Sequence, residues 1–421
     1  MLLRRACTPW ARQLRRPFSS SSDSDRPAPK TRGHSSGVLA EIVGDISRRG
    51  MPNARLPAGD VLRLIDIAAA RTAFAHAAPA AGSSSSSSSA AAPPPVGCVT
   101  LSFDRVDLMV PILHGDLLEF SSSLLSVGRS SMVVQVVGRK KDVHTRSWVP
   151  TSCSLVTFVA IDGVHKRATA VAPLALGGGG GGGGGGDGDE NAVRRMEAQV
   201  AERAALAREW EAAQVRVREA GAAGELSAAR CEEPRNAGMS ERLRLSDTAV
   251  QLQKTWMPRS ENVHGSIFGG DLLAWMEQAA LYCATSFTRN TNMVTINMGR
   301  VFFFEPIHTT DMVELEATAV YATEHTVQIE VVVHVEKGGL LHDHPAGATA
   351  GDTAGRLKTS HRGHFTVLNL DELGRKRPVT TGFDLENASA EELSMFEQGK
   401  QRHQFFTARD RRVEMARLDA L

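Results

Sequence analysis

The sequence predicts an α+β protein in which one supersecondary unit is used twice. Three observations carry this: a run of matching residues at constant spacing, one apolar helix at the head of each copy, and strands rich in β-branched and aromatic residues behind it.

The spacing comes first. Val99-Thr100-Leu101, Arg105-Val106, Pro111, Asp116 and Glu119 each lie 195 positions before Val294-Thr295-Ile296, Arg300-Val301, Pro306, Asp311 and Glu314, while His308 breaks the match for His114. The register continues from Ser131–Val137 into Thr326–Val332. Upstream the offset is 211, from Gly59 to Gly270, because the Ser83–Ser89 run and Pro93–Pro95 lengthen the first copy. Downstream it is 209, from Thr157 to Thr366, because a Gly/Ala/His-rich stretch around His342–Gly355 lengthens the second. Both insertions have loop composition, which a packed unit tolerates.

Within each copy the helix is expected at Asp60 to about Ala77 and at Asp271 to about Ser286. Strands are expected at Val99–Val106, Leu117–Val127, Ser131–Gly138 and Ser152–Ile161, with counterparts at Met293–Phe304, Met312–Ala322, Thr326–Glu336 and Thr359–Leu370. The resulting division is 1–36 as a targeting segment and arm, 37–175 as the first repeat with its insertion at 82–95, and 176–240 as a polyglycine linker with a charged helix. The second repeat occupies 241–388, with its insertion at 340–356, and 389–421 is a closing helical segment. The charged helix, Asn191 to about Arg218, reads as a surface brace, and Ser389–Arg412 as its counterpart.

Composition narrows the function. Lysine and arginine total 48 against 47 acids, so no basic field exists to hold a nucleic-acid backbone. No apolar run approaches the roughly 18 residues needed to cross a bilayer. Met1–Phe18 carries Arg4, Arg5, Arg12, Arg15 and Arg16 with no acid before Asp23, and Arg16-Pro17-Phe18-Ser19 has the form of a matrix-protease site. This composition predicts import into the mitochondrial matrix, with a plastid address, or a disordered arm on a cytoplasmic protein, as alternatives. Five scattered cysteines without a C-x-x-C pair predict reduced thiols and no zinc or redox centre. His342, His344, His361 and His364 lack a ligand spacing and are read as solvated, so no metal is expected.

The most informative stretch is Asn262-Val263-His264-Gly265-Ser266-Ile267-Phe268-Gly269-Gly270-Asp271, leading into Trp275-Met276-Glu277. Paired glycines opening an apolar helix let a carbonyl approach N–H groups that have no partner within the helix, where the helix dipole favours developing negative charge. A tight turn with close helix packing is the plainer explanation of the same glycines. Glu277 and Asp66 each follow the local glycine, Gly270 or Gly59, by seven residues, on helix faces otherwise held by leucine and alanine. A carboxylate there needs a structural partner or a task.

These residues resemble the N-x-x-G-x-x-x-G-G loop and helix start of hotdog-fold acyl-CoA thioesterases, and the two-copy layout resembles their mitochondrial two-domain branch. The resemblance implies two hotdog repeats, each a long central helix wrapped by an antiparallel sheet, paired as a pseudo-dimer. It also implies hydrolysis of fatty acyl-CoA to fatty acid and CoA, no separate cofactor because CoA is part of the substrate, and assembly of two-repeat protomers into a homo-oligomer. A hotdog hydratase or dehydratase and a non-catalytic acyl-CoA-binding protein are the rival readings. His76, ten residues after Asp66, is too far along the helix to form the hydratase's acid/base pair.

Spacing constrains the site further. Seven residues at about 1.5 Å place each carboxylate roughly 10 Å from its own helix start, so each should serve the loop of the other repeat. One composite site joins Asn262, Gly265, Gly269 and Gly270 to Asp66, with Asp66 as general base or nucleophile and Asn262 positioning water; a residue that merely caps its loop is the plainer account of Asn262. The other joins Asn53 and Gly59 to Glu277. Its loop is two residues shorter and lacks the glycine pair, and Pro57 removes a donor, so it is expected to be weakened or structural. His264, Arg105 and Arg300 are weaker candidates for contacts with CoA; a solvated loop histidine and structural salt bridges are the ordinary alternatives.

Overall fold

The computed structural model describes residues 30, 36–51, 54–78, 96–174, 186–338 and 357–418. The presequence, both insertions, the polyglycine run and Asn53 lie outside these residues.

Each repeat has one long helix laid across antiparallel strands. In the first, strand β1 (Ser36–Ile42) precedes helix α1 (Ala58–Ala77). Strands β2 (Val96–Phe103), β3 (Val106–Asp107), β4 (Leu117–Val127), β5 (Ser131–Lys141) and β6 (Trp148–Asp162) follow. Helix α2 (Gly186–Ala222) leads to the second repeat. There β7 (Glu241–Leu243) and β8 (Val250–Lys254) precede α3 (Gly269–Thr288), and β9 (Met293–Met298), β10 (Val301–Phe303), β11 (Met312–Ala322), β12 (Thr326–Glu336), β13 (Lys358–Asn369) and β14 (Thr381–Phe383) follow it. The chain closes on α4 (Ala390–Leu418).

Period-two burial explains the strands. In β5, Met132, Val134 and Val136 are fully buried while their neighbours are half-buried, as expected of a sheet with one face on a helix. The helices bury a wide stripe, including Leu62, Ile65 and Ala69 in α1 and Leu273, Met276 and Ala280 in α3. α3 ends on Arg289 in the left-handed region, a helix stop that the sequence did not mark with glycine.

Among the described residues the two repeats share one twelve-stranded sheet, in the order β1-β4-β5-β6-β2-β10-β13-β12-β11-β8, with β3 paired to β9 beside the junction. The junction obeys a twofold relation. Val301 pairs with Phe103 and Phe302 with Ser102, while Val106 pairs with Met298 and Asp107 with Asn297. Shifting either pair of contacts by 195 positions yields the other. The helices meet under the same symmetry: a β-carbon on Gly59 would stand 2.7 Å from Ala274 Cα, and one on Gly270 would stand 3.0 Å from Arg63 Cα. Close approach of two helix backbones therefore requires glycine at both positions. Arg63 also bridges to Asp271 at 2.6 Å across this contact.

The two charged helices form a clasp. α2 and α4 run antiparallel, with Trp210 packed on Phe405 and Phe406 at 5.3 and 5.9 Å. The sequence reading placed these helices correctly but missed the short strands β1, β7, β8 and β14. It also merged β2 with β3 and β9 with β10, where the chain breaks at the junction. No helix among the described residues is long and apolar enough to cross a membrane.

Candidate active site

Asp66 and Glu277 are both sealed from solvent, at 0% and 1% exposure. Each faces the start of the other repeat's helix. The Gly270 N–H faces the Asp66 carboxylate, and a β-carbon on Gly269 would lie 3.1 Å from Asp66 Oδ2. The Ala58 and Gly59 N–H groups face Glu277. Neither helix start has a side-chain cap, so its first N–H groups remain available to a neighbour.

Burial pushes both acids up to about 7, opposed in each case by hydrogen bonding and reinforced by a nearby aspartate at the facing helix start, Asp271 for Asp66 and Asp60 for Glu277. An acid with this value is part ionised at neutral pH, as a general base must be.

The two acids differ in how well they are held. Thr295 Oγ1 donates to Glu277 Oε1 at 2.6 Å, and two backbone N–H groups face that carboxylate. Thr100 Oγ1 donates to Asp66 Oδ1 at a longer 3.2 Å. Asp66 Oδ2 is buried without a completed hydrogen bond: the Gly270 N–H is near enough to favour the ionised form but does not close the geometry. Asp66 thus keeps an oxygen free to act. Phe303 lines the same recess, its Cε1 lying 3.1 Å from the position of a Gly269 β-carbon.

Thr100 and Thr295 are site residues that sequence reasoning passed over. Both were visible in the duplicated Val-Thr-Leu and Val-Thr-Ile triplets, yet a threonine in a strand reads as ordinary β-former.

Other candidates are placed differently from expectation. Asn262 caps its own loop: Oδ1 accepts from the His264 N–H at 2.9 Å and the Ser266 N–H at 3.3 Å, and Nδ2 donates to Ser266 Oγ at 2.9 Å. Its amide is spent on the turn rather than held out to a water, an Asx-type role. Gly265 supplies the left-handed residue of that turn, φ 71°, and its carbonyl pairs with His308 Nδ1 at 2.8 Å. His264 is not a solvated loop residue; its ring stacks on Phe74 of the first repeat.

Arg105 is held by Asp107 at 2.6 Å and lies 4.2 Å over the Phe406 ring, with its side chain 14% exposed. Arg300 pairs with Asp104 at 3.0 Å and covers Phe302. Arg105 is thus committed to the fold, whereas Arg300, with its side chain 39% exposed, still reaches solvent beside its ion pair. His361 is buried against Phe303 and Ser360, and His364 packs beside Glu330, so neither is solvated as the sequence reading had it. His342 and His344 lie outside the described residues.

The thioesterase superfamily model matches the chain in two segments, 58–146 and 264–342, one in each repeat. Among curated proteins, the chain is 27% identical over 250 residues to acyl-coenzyme A thioesterase 4, mitochondrial, of Humulus lupulus, covering 57% of this chain and 45% of that protein. It is 26% identical over 249 residues to acyl-coenzyme A thioesterase 2, chloroplastic, of the same plant, covering 57% of this chain and 55% of that one. A 76-residue stretch is 34% identical to an uncharacterized acyl-CoA thioester hydrolase of Zymomonas mobilis, covering 18% of this chain and 50% of that protein. The chain thus spans about half the length of the curated relatives it matches. Both matched segments begin at or beside a helix start that faces a buried acid, so each of the two repeats is similar to the thioesterase superfamily model over its helix and following strands.

Proposed function

We propose that the protein is an acyl-CoA thioesterase that hydrolyses fatty acyl-CoA, with its principal centre where Asp66 of the first repeat meets Gly269 and Gly270 of the second. The observation that carries the reading is the Asp66 carboxylate: fully buried, raised to about 7, with one oxygen unpaired beside an uncapped helix start. The names of the matched relatives point to the same chemistry.

In this reading the thioester oxygen lies toward the N–H groups of Gly269 and Gly270, whose dipoles oppose the charge that develops on it. Ionised Asp66 takes a proton from water as the water attacks the carbonyl carbon, and returns it to sulfur as the carbon–sulfur bond breaks, so that CoA leaves as the thiol. Alternatively, Asp66 attacks that carbon itself, CoA leaves as a thiolate protonated by solvent, and water then cleaves the acyl–Asp66 anhydride to free the fatty acid and the carboxylate. Thr100 fixes the carboxylate's orientation, and Asn262 shapes the loop that delivers the glycines. The Glu277 centre, whose acid has the shorter threonine bond and whose loop lacks the glycine pair, is structural or weakly active.

The basic N-terminal segment and the organellar names of the two hop relatives favour an organellar, mitochondrial setting. Assembly of two-repeat protomers into a homo-oligomer belongs to the same reading.

The deciding experiment is release of free thiol from acyl-CoA of graded chain length by the native protein and by Asp66→Asn. Release that depends on Asp66 supports the reading. Release untouched by the substitution removes Asp66 from the mechanism, and no release from any length rejects the activity.

A further inference from the structure

His264 belongs to the second repeat, yet its ring is lodged in the first. It stacks on Phe74 of α1, 6.0 Å between centroids and 15° between planes. It lies so flat on β2 that a β-carbon on Gly97 would come within 1.8 Å of its Cε1. Phe74 follows Asp66 by eight residues, roughly 12 Å along α1, and Gly97 and Cys98 precede Thr100 on β2. The ring is therefore wedged into the same α1–β2 seam that holds the Asp66 carboxylate. Behind the ring, the His264 N–H is held by Asn262 Oδ1, so ring and capped turn form one piece. Five residues later the chain enters α3 at Gly269.

The other half of the molecule makes the matching contact with different chemistry. Arg55, in the first-repeat loop, donates from Nη1 to Asn292 Oδ1 at 2.9 Å. Asn292 is the residue 195 positions after Gly97. Each loop is thus fastened at the same place on the opposite repeat: a guanidinium on a side-chain amide in one case, an aromatic ring on bare backbone in the other.

We propose that His264 is a positioning residue that pins the second-repeat loop to the first repeat and so sets the Gly269–Gly270 helix start against Asp66. The inference rests on Asp66 being the working acid. Gly97 is its complement, because only a residue without a side chain leaves the ring its seat. Loss of the pin removes this hold of the loop on the first repeat, and misplacement of an oxyanion donor by about 1 Å costs on the order of 100-fold in rate.

The test is a cycle of His264→Ala, Gly97→Ala and the double variant, in the full chain, reading kcat, KM and Tm. The expected result is a kcat loss of about 10- to 100-fold in each single variant with KM little changed. The double variant is expected to be no slower than His264→Ala, because both changes remove the same contact. Multiplying losses in the double variant, or a lowered Tm with kcat intact, would overturn the proposal. Should Gly97→Ala not fold, His264→Ala alone decides through its split between kcat and KM. Asp66→Asn run alongside separates the two ideas: an active His264→Ala with an inactive Asp66→Asn sinks the pin and spares the acid.

Discussion

Asp66 Oδ2 lies against Gly269 of the opposite repeat, 3.1 Å from where a β-carbon would stand. The acid and the helix start it serves come from different halves of the chain, separated by about two hundred positions of sequence. Several measurable consequences follow from this contact and its twin.

Asp66→Asn keeps the shape of the side chain and removes its charge. We expect kcat for thiol release to fall by about 10²- to 10⁴-fold, the usual range for loss of a general base. Tm should hold or rise, since a buried ionised group no longer has to be accommodated. A variant that loses Tm and activity together would make Asp66 a structural residue.

Activity and stability should respond to pH in opposite directions. Asp66 and Glu277 are both raised from their ordinary carboxylate values to about 7, so the folded state holds protons that the unfolded chain has released. Their stabilising effect is complete below about pH 4 and is lost as pH climbs through about 7. Turnover needs ionised Asp66 and should rise over the same interval to a plateau. Tm and kcat recorded from pH 5 to 8, the working range of most assays, would show the opposition. Asp66→Asn should remove the rising limb of the rate.

Glu277→Gln tests the inequality of the two centres. Thr295 already holds Glu277 by a 2.6 Å bond, so the amide should keep most of the thiol release that Asp66→Asn abolishes. Equal losses in the two variants would mean that both centres turn over.

Gly270→Ala places a methyl 3.0 Å from the Arg63 backbone and 2.6 Å from the Phe268 ring. The helices must separate or the backbone must bend, at a cost of about 1–3 kcal/mol. Denaturant unfolding should show this loss together with reduced turnover, because the same glycine carries the N–H that faces Asp66.

Trp210→Ala removes the centre of the α2–α4 clasp. We expect a loss of about 1–3 kcal/mol from the two aromatic contacts and the half-buried ring. The clasp lies apart from the acids in the residues it uses, so kcat should be unchanged in protein that remains folded.

Much of this was legible in the residues. The 195-residue register exposed the duplication because matching side chains face matching surroundings, and the apolar stripes of α1 and α3 fixed both helices to within a few residues. A carboxylate in each stripe pointed to a buried task. Strands β1 and β8 escaped because edge strands such as Ser36–Ile42 carry mixed, half-exposed residues and receive their regularity from β4 and β11 rather than from their own pattern. The sequence left Asn262 between two roles because a loop asparagine that caps a turn and one that holds a water read alike, and its bonds to His264 and Ser266 favour the cap. His264 was invisible for a different reason: its partners, Phe74 and Gly97, are ordinary residues in a distant stretch, and only the pairing of the repeats brings them to it.

That pairing also has a consequence for how the molecule is made. A newly synthesised first repeat leaves the ribosome well before the second, with the Asp66 face of α1 bare and wet. Both acids enter the interior only when the halves close on each other, so closure is the moment at which hydrogen ions are drawn from solution. Mild acidity should favour the closed state, and an alkaline compartment should weaken it.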